Sequence, residues 1–285
     1  MSQLNVKNIT SIMNDYDVFL FDLWGVIVEG EELYPGVVDT VNMVIEQKKV
    51  FFVTNAPRPT MVSYDRIKGW GVNVLPEMVI TSGQIARELI NDSARGLGIE
   101  KPIVYHLGKD RNSDIMRDLK CEETNDIANA NIMMLTLTRD EGEDLTEFDD
   151  ILARAAAQKI ITLCANPDTI IPKGSSKVYC PGFFAEKMLQ HGGRVIYTGK
   201  PKIEMYNKVL KAVPDILPSR ILMIGDTYET DILGAKGAGI HSALVLTGNA
   251  LKFHVNYEDM PTKLTKLTEA AVKAGAVPNF VITLN

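Results

Sequence analysis

Runs of unbroken apolar side chains recur along this chain, with segments of helical period between them. Val18-Phe19-Leu20-Phe21, Val50-Phe51-Phe52-Val53 and Ile221-Leu222-Met223-Ile224 are the clearest. A strand with one wet face alternates apolar and polar residues, so a run with no polar member is covered on both faces. Between the first two runs, Val37, Val38, Val41, Val44 and Ile45 fall at helix spacing after Pro35-Gly36. Strand, helix and strand in succession make βαβ units and a parallel sheet, and the fold class is α/β.

The same spacing predicts the remaining elements. Val79-Ile80 is a strand, and Ser82 caps the helix after it. The middle of the chain is less regular. Ile103-Val104-Tyr105 and 132–137 are strands, and 139–144 is a charged loop. Thr146 with Asp149 reads as a capping box for a helix carrying Ile151, Leu152 and Ala155. A strand at 160–164 runs into the turn signal Asn166-Pro167-Asp168. Regular alternation then returns. A helix at 183–190 ends at Gly192-Gly193, and a strand follows at 195–197. Pro201 suits the first turn of a helix carrying Tyr206, Val209 and Leu210. A helix at 231–238, a strand at 243–246, a helix near 264–274 and a strand at 280–284 complete the series.

Composition removes several classes of function. With 285 residues the chain has room for one large or two medium domains. A net charge of −6 disfavours a nucleic-acid surface, which shows a basic patch or stripe. It also means that an anionic substrate needs local help from a cation, a lysine or backbone N–H groups. No apolar run approaches the ~18 residues of a membrane span, and the start MSQLNVKNIT lacks the basic-then-apolar order of a signal peptide. The three cysteines are far apart and form no C-x-x-C, so a disulfide framework or zinc site is not expected and a reducing cytoplasm is. The four histidines are scattered. There is no G-x-S-x-G nucleophile elbow and no G-x-x-x-x-G-K-[ST] loop. The first strand leads into Asp22-Leu23-Trp24-Gly25 rather than G-x-G-x-x-G, so a dinucleotide oxidoreductase fails on sequence.

Four polar signals stand just past the ends of expected strands, on the rim where open α/β sheets bind ligands. They are Asp22 after the first strand, Thr54-Asn55-Ala56-Pro57 after the second, Gly199-Lys200-Pro201, and Gly225-Asp226 through Asp231. Each alone has a bland reading as a cap, turn or loop. Together they form a chemical set. Asp22 and Asp226 can hold one hard cation by oxygen, which suits Mg²⁺. Thr54 and nearby backbone N–H groups can bind phosphate oxygens, and Lys200 can neutralise phosphate charge. An oxygen of Asp22 can then attack phosphorus and form an aspartyl phosphate.

This ordered set resembles the haloacid dehalogenase superfamily of phosphohydrolases. The spacing Asp22-x-x-Gly25-Val26-x-x-x-Gly30-x-x-x-x-Pro35-Gly36 is similar to its NagD-like subclass. Thr54-Asn55, Asn166-Pro167-Asp168, Pro181-Gly182, Gly199-Lys200-Pro201 and Gly225 through Asp231 fit the same pattern, from about Asp17 to Gly248. The resemblance implies a Rossmann-like three-layer core with a parallel sheet and an inserted α/β cap. The expected division is core at 1–82, cap at 83–187 and core again at 188–285. It implies Asp22 as nucleophile and Mg²⁺ ligand, and Thr54, Asn55 and Ala56 as phosphate-binding residues, with Lys200 stabilising the phosphate. It implies Asp226 as a metal ligand with Asp231 in support, and Asp168 and Thr169 as residues that face the substrate. The expected partner is a small phosphorylated metabolite, with no nucleic acid and no membrane. Relatives in the family often dimerise through the cap, and the oligomeric state stays open on sequence.

One position departs from the pattern. Phosphatases of this superfamily usually carry a second Asp two residues after the nucleophile, as the acid for the leaving group. Here that residue is Trp24. The family's backbone carbonyl at this position can still serve a metal, so Trp24 stays in the metal set. Its indole is a donor only and exchanges no proton near pH 7. General acid–base catalysis is worth ~10²–10⁴-fold, or ~3–5 kcal/mol. Three explanations stand side by side. Another carboxylate, such as Glu29 or one from the cap, replaces the acid; the substrate has a leaving group that needs no proton; or the protein binds a phosphometabolite with little turnover.

Overall fold

The computed structural model describes residues 4–173 and 176–284. The chain divides into two compact units. One comprises Met1–Thr54, Tyr64–Ile80 and Lys200–Asn285, and the other Asn55–Ser63 and Thr81–Gly199.

The first unit is built on a seven-stranded sheet. Its order is Val6–Asn8, Phe280–Thr283, His241–Val245, Ile221–Gly225, Val18–Phe21, Lys49–Thr54 and Val79–Thr81. The pairings from Val6–Asn8 across to Lys49–Thr54 are parallel. The unbroken apolar runs are explained by cover on both faces. Phe280 and Ile282, with Ala243 and Val245, pack on one side with Val37, Val41 and Val44 of the helix Val37–Gln47. Their chain neighbours Val281 and Leu244 face the opposite layer, with Leu267 and Ala271 of the helix Met260–Lys273. Each of the Val, Leu, Ile and Phe side chains gains ~1.5–3 kcal/mol from burial, so a polar substitution on either face is costly. The strand order places a topological switch between Val18–Phe21 and Ile221–Gly225. From Val18–Phe21 the chain steps one way to Lys49–Thr54, and its last strands are added on the other side.

The second unit has its own five-stranded parallel sheet, in the order Arg194–Tyr197, Ile161–Cys164, Ile132–Leu135, Ile103–Leu107 and Glu122–Thr124. A three-stranded antiparallel sheet joins Arg139–Asp140, Ser176–Tyr179 and Ile170–Lys173. This unit reaches beyond the expected 83–187. Arg194–Tyr197 pairs with Ile161–Cys164, so 188–199 lies here and not with the first unit. The βα rhythm around 183–197 looks the same whichever sheet the strand joins, and only the partner strand decides.

Several local expectations change; the charged loop expected at 139–144 begins with the strand Arg139–Asp140, and Pro201 precedes the helix Ile203–Ala212 instead of standing in its first turn. The Thr146 hydroxyl bonds Asp144 rather than capping a helix, and the helix Asp149–Ala157 starts without a side-chain cap. The helix Ser82–Asn91 is capped by Thr81, one residue before the expected Ser82. The expected helix at 231–238 is a π-type turn, Tyr228–Ile232, followed by a short helix, Leu233–Gly237. Asp231 N–H and Ile232 N–H both donate to Thr227 O, which widens the turn.

Candidate active site

Asp22 and Asp226 leave the C-terminal ends of the two adjacent central strands at the switch point. Asp22 N–H donates to Ile224 O at 3.0 Å, which holds the two exits side by side. Asp231 comes from the widened turn, and Thr54 ends its strand fully buried. One ligand oxygen from each of Asp22, Asp226 and Asp231 lies within 4.8 Å of the others. Lys200 Nζ is 2.7 Å from Asp22 Oδ1 and 2.7 Å from Asp231 Oδ1. Lys200 is 1% exposed and Asp231 0%, so water screens this ion-pair network little.

The charges do not balance within the cluster, which has three carboxylates and one ammonium. Burial pushes Asp22 well above the usual carboxylate range; Lys200 pulls it back, while Asp231 and Asp226 push it further up. Asp226 is pushed up to about 7, by burial first and then by Asp231. Burial alone lowers Lys200, yet the Asp22 and Asp231 carboxylates hold it above its ordinary value. A hard divalent cation among these oxygens would relieve the excess negative charge, and the all-oxygen set of Asp22, Asp226 and Asp231 fits what Mg²⁺ takes. The backbone after Asp22 crowds the Asp226 carboxylate. Gly25 has φ +79°, and a Cβ built on it would lie 2.1 Å from Asp226 Oδ2. Only glycine allows the loop after Asp22 to pass so close.

The Trp24 side chain carries no oxygen that could ligate a metal. Its half-buried ring packs against the core of the first unit, with the Arg66 guanidinium 4.8 Å from the ring centre. Glu29 is exposed and accepts the Tyr34 hydroxyl at 2.7 Å.

The other expected site residues belong to the second unit. Asn55 is buried and donates from Nδ2 to Asp168 Oδ1 at 3.0 Å. Ala56 O accepts Gly83 N–H at 3.1 Å, and Thr169 O accepts Cys180 N–H at 2.8 Å. Asn55 and Asp168 are thus brought together, 113 positions apart in the chain. Two residues at the aspartate cluster had no role assigned on sequence, Thr227 inside the Gly225-to-Asp231 signal and Asn249 outside every motif. The Thr227 hydroxyl donates to Asp226 Oδ1 at 2.8 Å, and Asn249 N–H donates to Asp226 Oδ2 at 2.6 Å. The signal that points to Asn249 is Thr247-Gly248-Asn249, a polar and glycine-bearing stretch just past the strand His241–Val245.

Comparison with known proteins matches these strand-end segments. A family model described as haloacid dehalogenase-like hydrolase matches residues 19–122, which include Asp22, Trp24 and Thr54. A second, HAD-hydrolase-like model matches residues 197–270, which include Lys200, Asp226 and Asp231. The chain belongs to the haloacid dehalogenase-like hydrolase family. Within that family it is similar to an acid sugar phosphatase of Staphylococcus epidermidis, 25% identical over 259 residues that span 88% of this chain and 92% of the relative. A haloacid dehalogenase-like hydrolase from Brucella suis is 28% identical with a TM-score of 0.74, over 90% of this chain and 95% of that one. A possible sugar phosphatase of the superfamily from Cytophaga hutchinsonii is 25% identical with a TM-score of 0.79, over 98% of this chain and 97% of that one. The chain is an enzyme of the haloacid dehalogenase-type phosphatase class.

Proposed function

We propose that this phosphatase is Mg²⁺-dependent and hydrolyses a small phosphate ester, sugar-phosphate-like, through an aspartyl phosphate on Asp22. The observation that carries the reading is the buried cluster in which Lys200 bonds both Asp22 and Asp231 while Asp226 stands beside them. Asp22, Asp226 and Asp231, with the Trp24 carbonyl, are the groups that would hold the cation. Bound Mg²⁺ would offset the negative charge of the transferring phosphoryl group.

In the reaction an Asp22 oxygen attacks phosphorus as the ester P–O bond breaks, and the electron pair leaves on the substrate oxygen. Water then cleaves the acyl phosphate, which releases inorganic phosphate and restores the carboxylate. Lys200 keeps Asp22 oriented and adds positive charge near the phosphoryl oxygens. Thr54, Asn55 and Ala56 are assigned to phosphate binding, and Asp168 and Thr169 to substrate contact. In the same reading the first unit is the catalytic core and the second the cap. The sugar-phosphate class is favoured by the names of the relatives, an acid sugar phosphatase and a possible sugar phosphatase. Among the described residues no helix is long and apolar enough to cross a membrane, and all three cysteines are free thiols, which suits a cytoplasmic enzyme.

Trp24 favours a second reading, a phosphometabolite-binding protein with weak turnover, because the leaving group finds no acid at that position. A screen of metabolite phosphates with Mg²⁺, run on wild type and Asp22→Asn, separates the two. Turnover in wild type that disappears in Asp22→Asn with ligand binding retained is expected. Absence of turnover in wild type on every phosphate, with binding retained, would establish the binding reading instead.

A further inference from the structure

Asp226 is gripped from two directions. The loop after the first central strand passes under it at Gly25, and a second loop, Thr247-Gly248-Asn249, closes on it from the end of the strand His241–Val245. Gly248 has φ +57°, and a Cβ there would lie 2.1 Å from Asp226 Oδ2 and 2.5 Å from Gly25 Cα. The two glycine backbones therefore flank the same carboxylate oxygen. Asn249 bonds both sides of the group. Its N–H donates to Asp226 Oδ2 at 2.6 Å, and its Nδ2 donates to Thr227 Oγ1 at 2.8 Å. Thr227 Oγ1 in turn donates to Asp226 Oδ1 at 2.8 Å, so Asn249 reaches the second oxygen through a relay. The loop is anchored on the far side. Thr247 Oγ1 donates to Gly25 O at 2.5 Å, and Gly248 N–H donates to the Tyr34 hydroxyl at 3.3 Å.

We propose that Thr247-Gly248-Asn249 is a positioning clamp for Asp226, with Asn249 its working residue, and that it sets the affinity of the site for the divalent cation. A carboxylate that must meet a small, geometrically strict ion loses affinity when it is free to rotate. Outer partners of metal ligands are worth 10–100-fold in affinity. The inference rests on the reading of Asp226 as a cation ligand. Asn249 is a positioning residue, since it acts only through Asp226 and Thr227.

The test is calorimetric titration of Mg²⁺ into the metal-free full-length protein. Asn249→Ala keeps the backbone donor and removes the relay at one end; Thr227→Val removes it at the other. Each is expected to weaken Mg²⁺ binding about 10-fold or more. The double variant should be no weaker than either single one, because both break one chain of contacts. Thr227→Ser, which keeps the hydroxyl, should restore binding to within about threefold of wild type. Thermal melting without Mg²⁺ serves as the fold readout, and a purely structural role would move it while leaving affinity unchanged. Unchanged affinity in Asn249→Ala and Thr227→Val, with binding lost in Asp226→Asn, overturns the clamp alone. Wild-type affinity in Asp226→Asn overturns the cation reading and the clamp with it.

Discussion

The indole at position 24 stands where the proton donor of a phosphatase is expected, and it is held by packing rather than by the aspartate cluster. Its ring lies under Arg66 and against the core of the first unit, and its N–H exchanges no proton near pH 7. The consequence is a dependence on the leaving group. Aryl phosphates, whose oxygen departs without protonation, should be hydrolysed far faster than alkyl phosphates at saturating Mg²⁺. Trp24→Asp should narrow that ratio of kcat/KM by about 10²–10⁴-fold, the range of general acid catalysis. Equal rates on the two classes in wild type would show that another group already supplies the proton. This residue was legible in the sequence because it breaks an ordered motif. Asn249 was not, because a lone asparagine after a strand has many ordinary uses, and its role arises only where the loop meets Asp226.

The pairing of the two central strands decides where the catalytic carboxylates emerge, and it is locked at the other end. Val18 pairs with Ile221, and just before them Asp17 and Arg220 form a two-pronged ion pair, Nε to Oδ2 at 2.5 Å and Nη2 to Oδ1 at 2.7 Å. Hydrogen bonding to Arg220 holds the Asp17 carboxyl below its ordinary 3.8. A lowered folded value means that the native state binds fewer protons than the unfolded chain around pH 3–4. The pair's contribution is therefore present above the unfolded value and is lost as pH falls through the lowered one. Asp17→Asn should flatten this part of the acid limb. In urea titrations wild type should lose more midpoint concentration between pH 7 and pH 3 than the variant does, and parallel losses would remove Asp17 from the account. Strands of this kind were readable from unbroken apolar runs. The turn at Tyr228–Ile232 was not, since the helical spacing of 231–238 does not reveal that two N–H groups share Thr227 O.

Across the whole molecule, an acidic chain carries a buried acidic cluster with more negative charge than the one lysine bonded to it offsets. Folding brings a ligand oxygen of Asp22 within 4.8 Å of those of Asp226 and Asp231, about 200 positions further along the chain, and one lysine offsets part of their charge. Mg²⁺ should bind the native state and not the unfolded chain, so it should stabilise by mass action. At 100 times its Kd the gain is about 2.7 kcal/mol, worth roughly 5–10 °C in Tm for a unit of this size. Thermal scans with and without Mg²⁺ should show the shift in wild type and none in a variant carrying both Asp22→Asn and Asp226→Asn. An equal shift in both proteins would place the Mg²⁺ effect outside this cluster.

The sequence by itself determined the α/β class, the parallel strands and the strand-end positions of Asp22, Thr54, Lys200 and Asp226. Each of these is written locally, as an apolar run of strand length ended by a polar residue that is costly to bury unless it is used. Only the tertiary structure decided that Arg194–Tyr197 joins the second unit, that Lys200 bonds Asp22 and Asp231 together, and that Asn249 closes on Asp226. These are contacts between segments far apart in the chain, and they depend on which strands become neighbours rather than on any spacing along one segment.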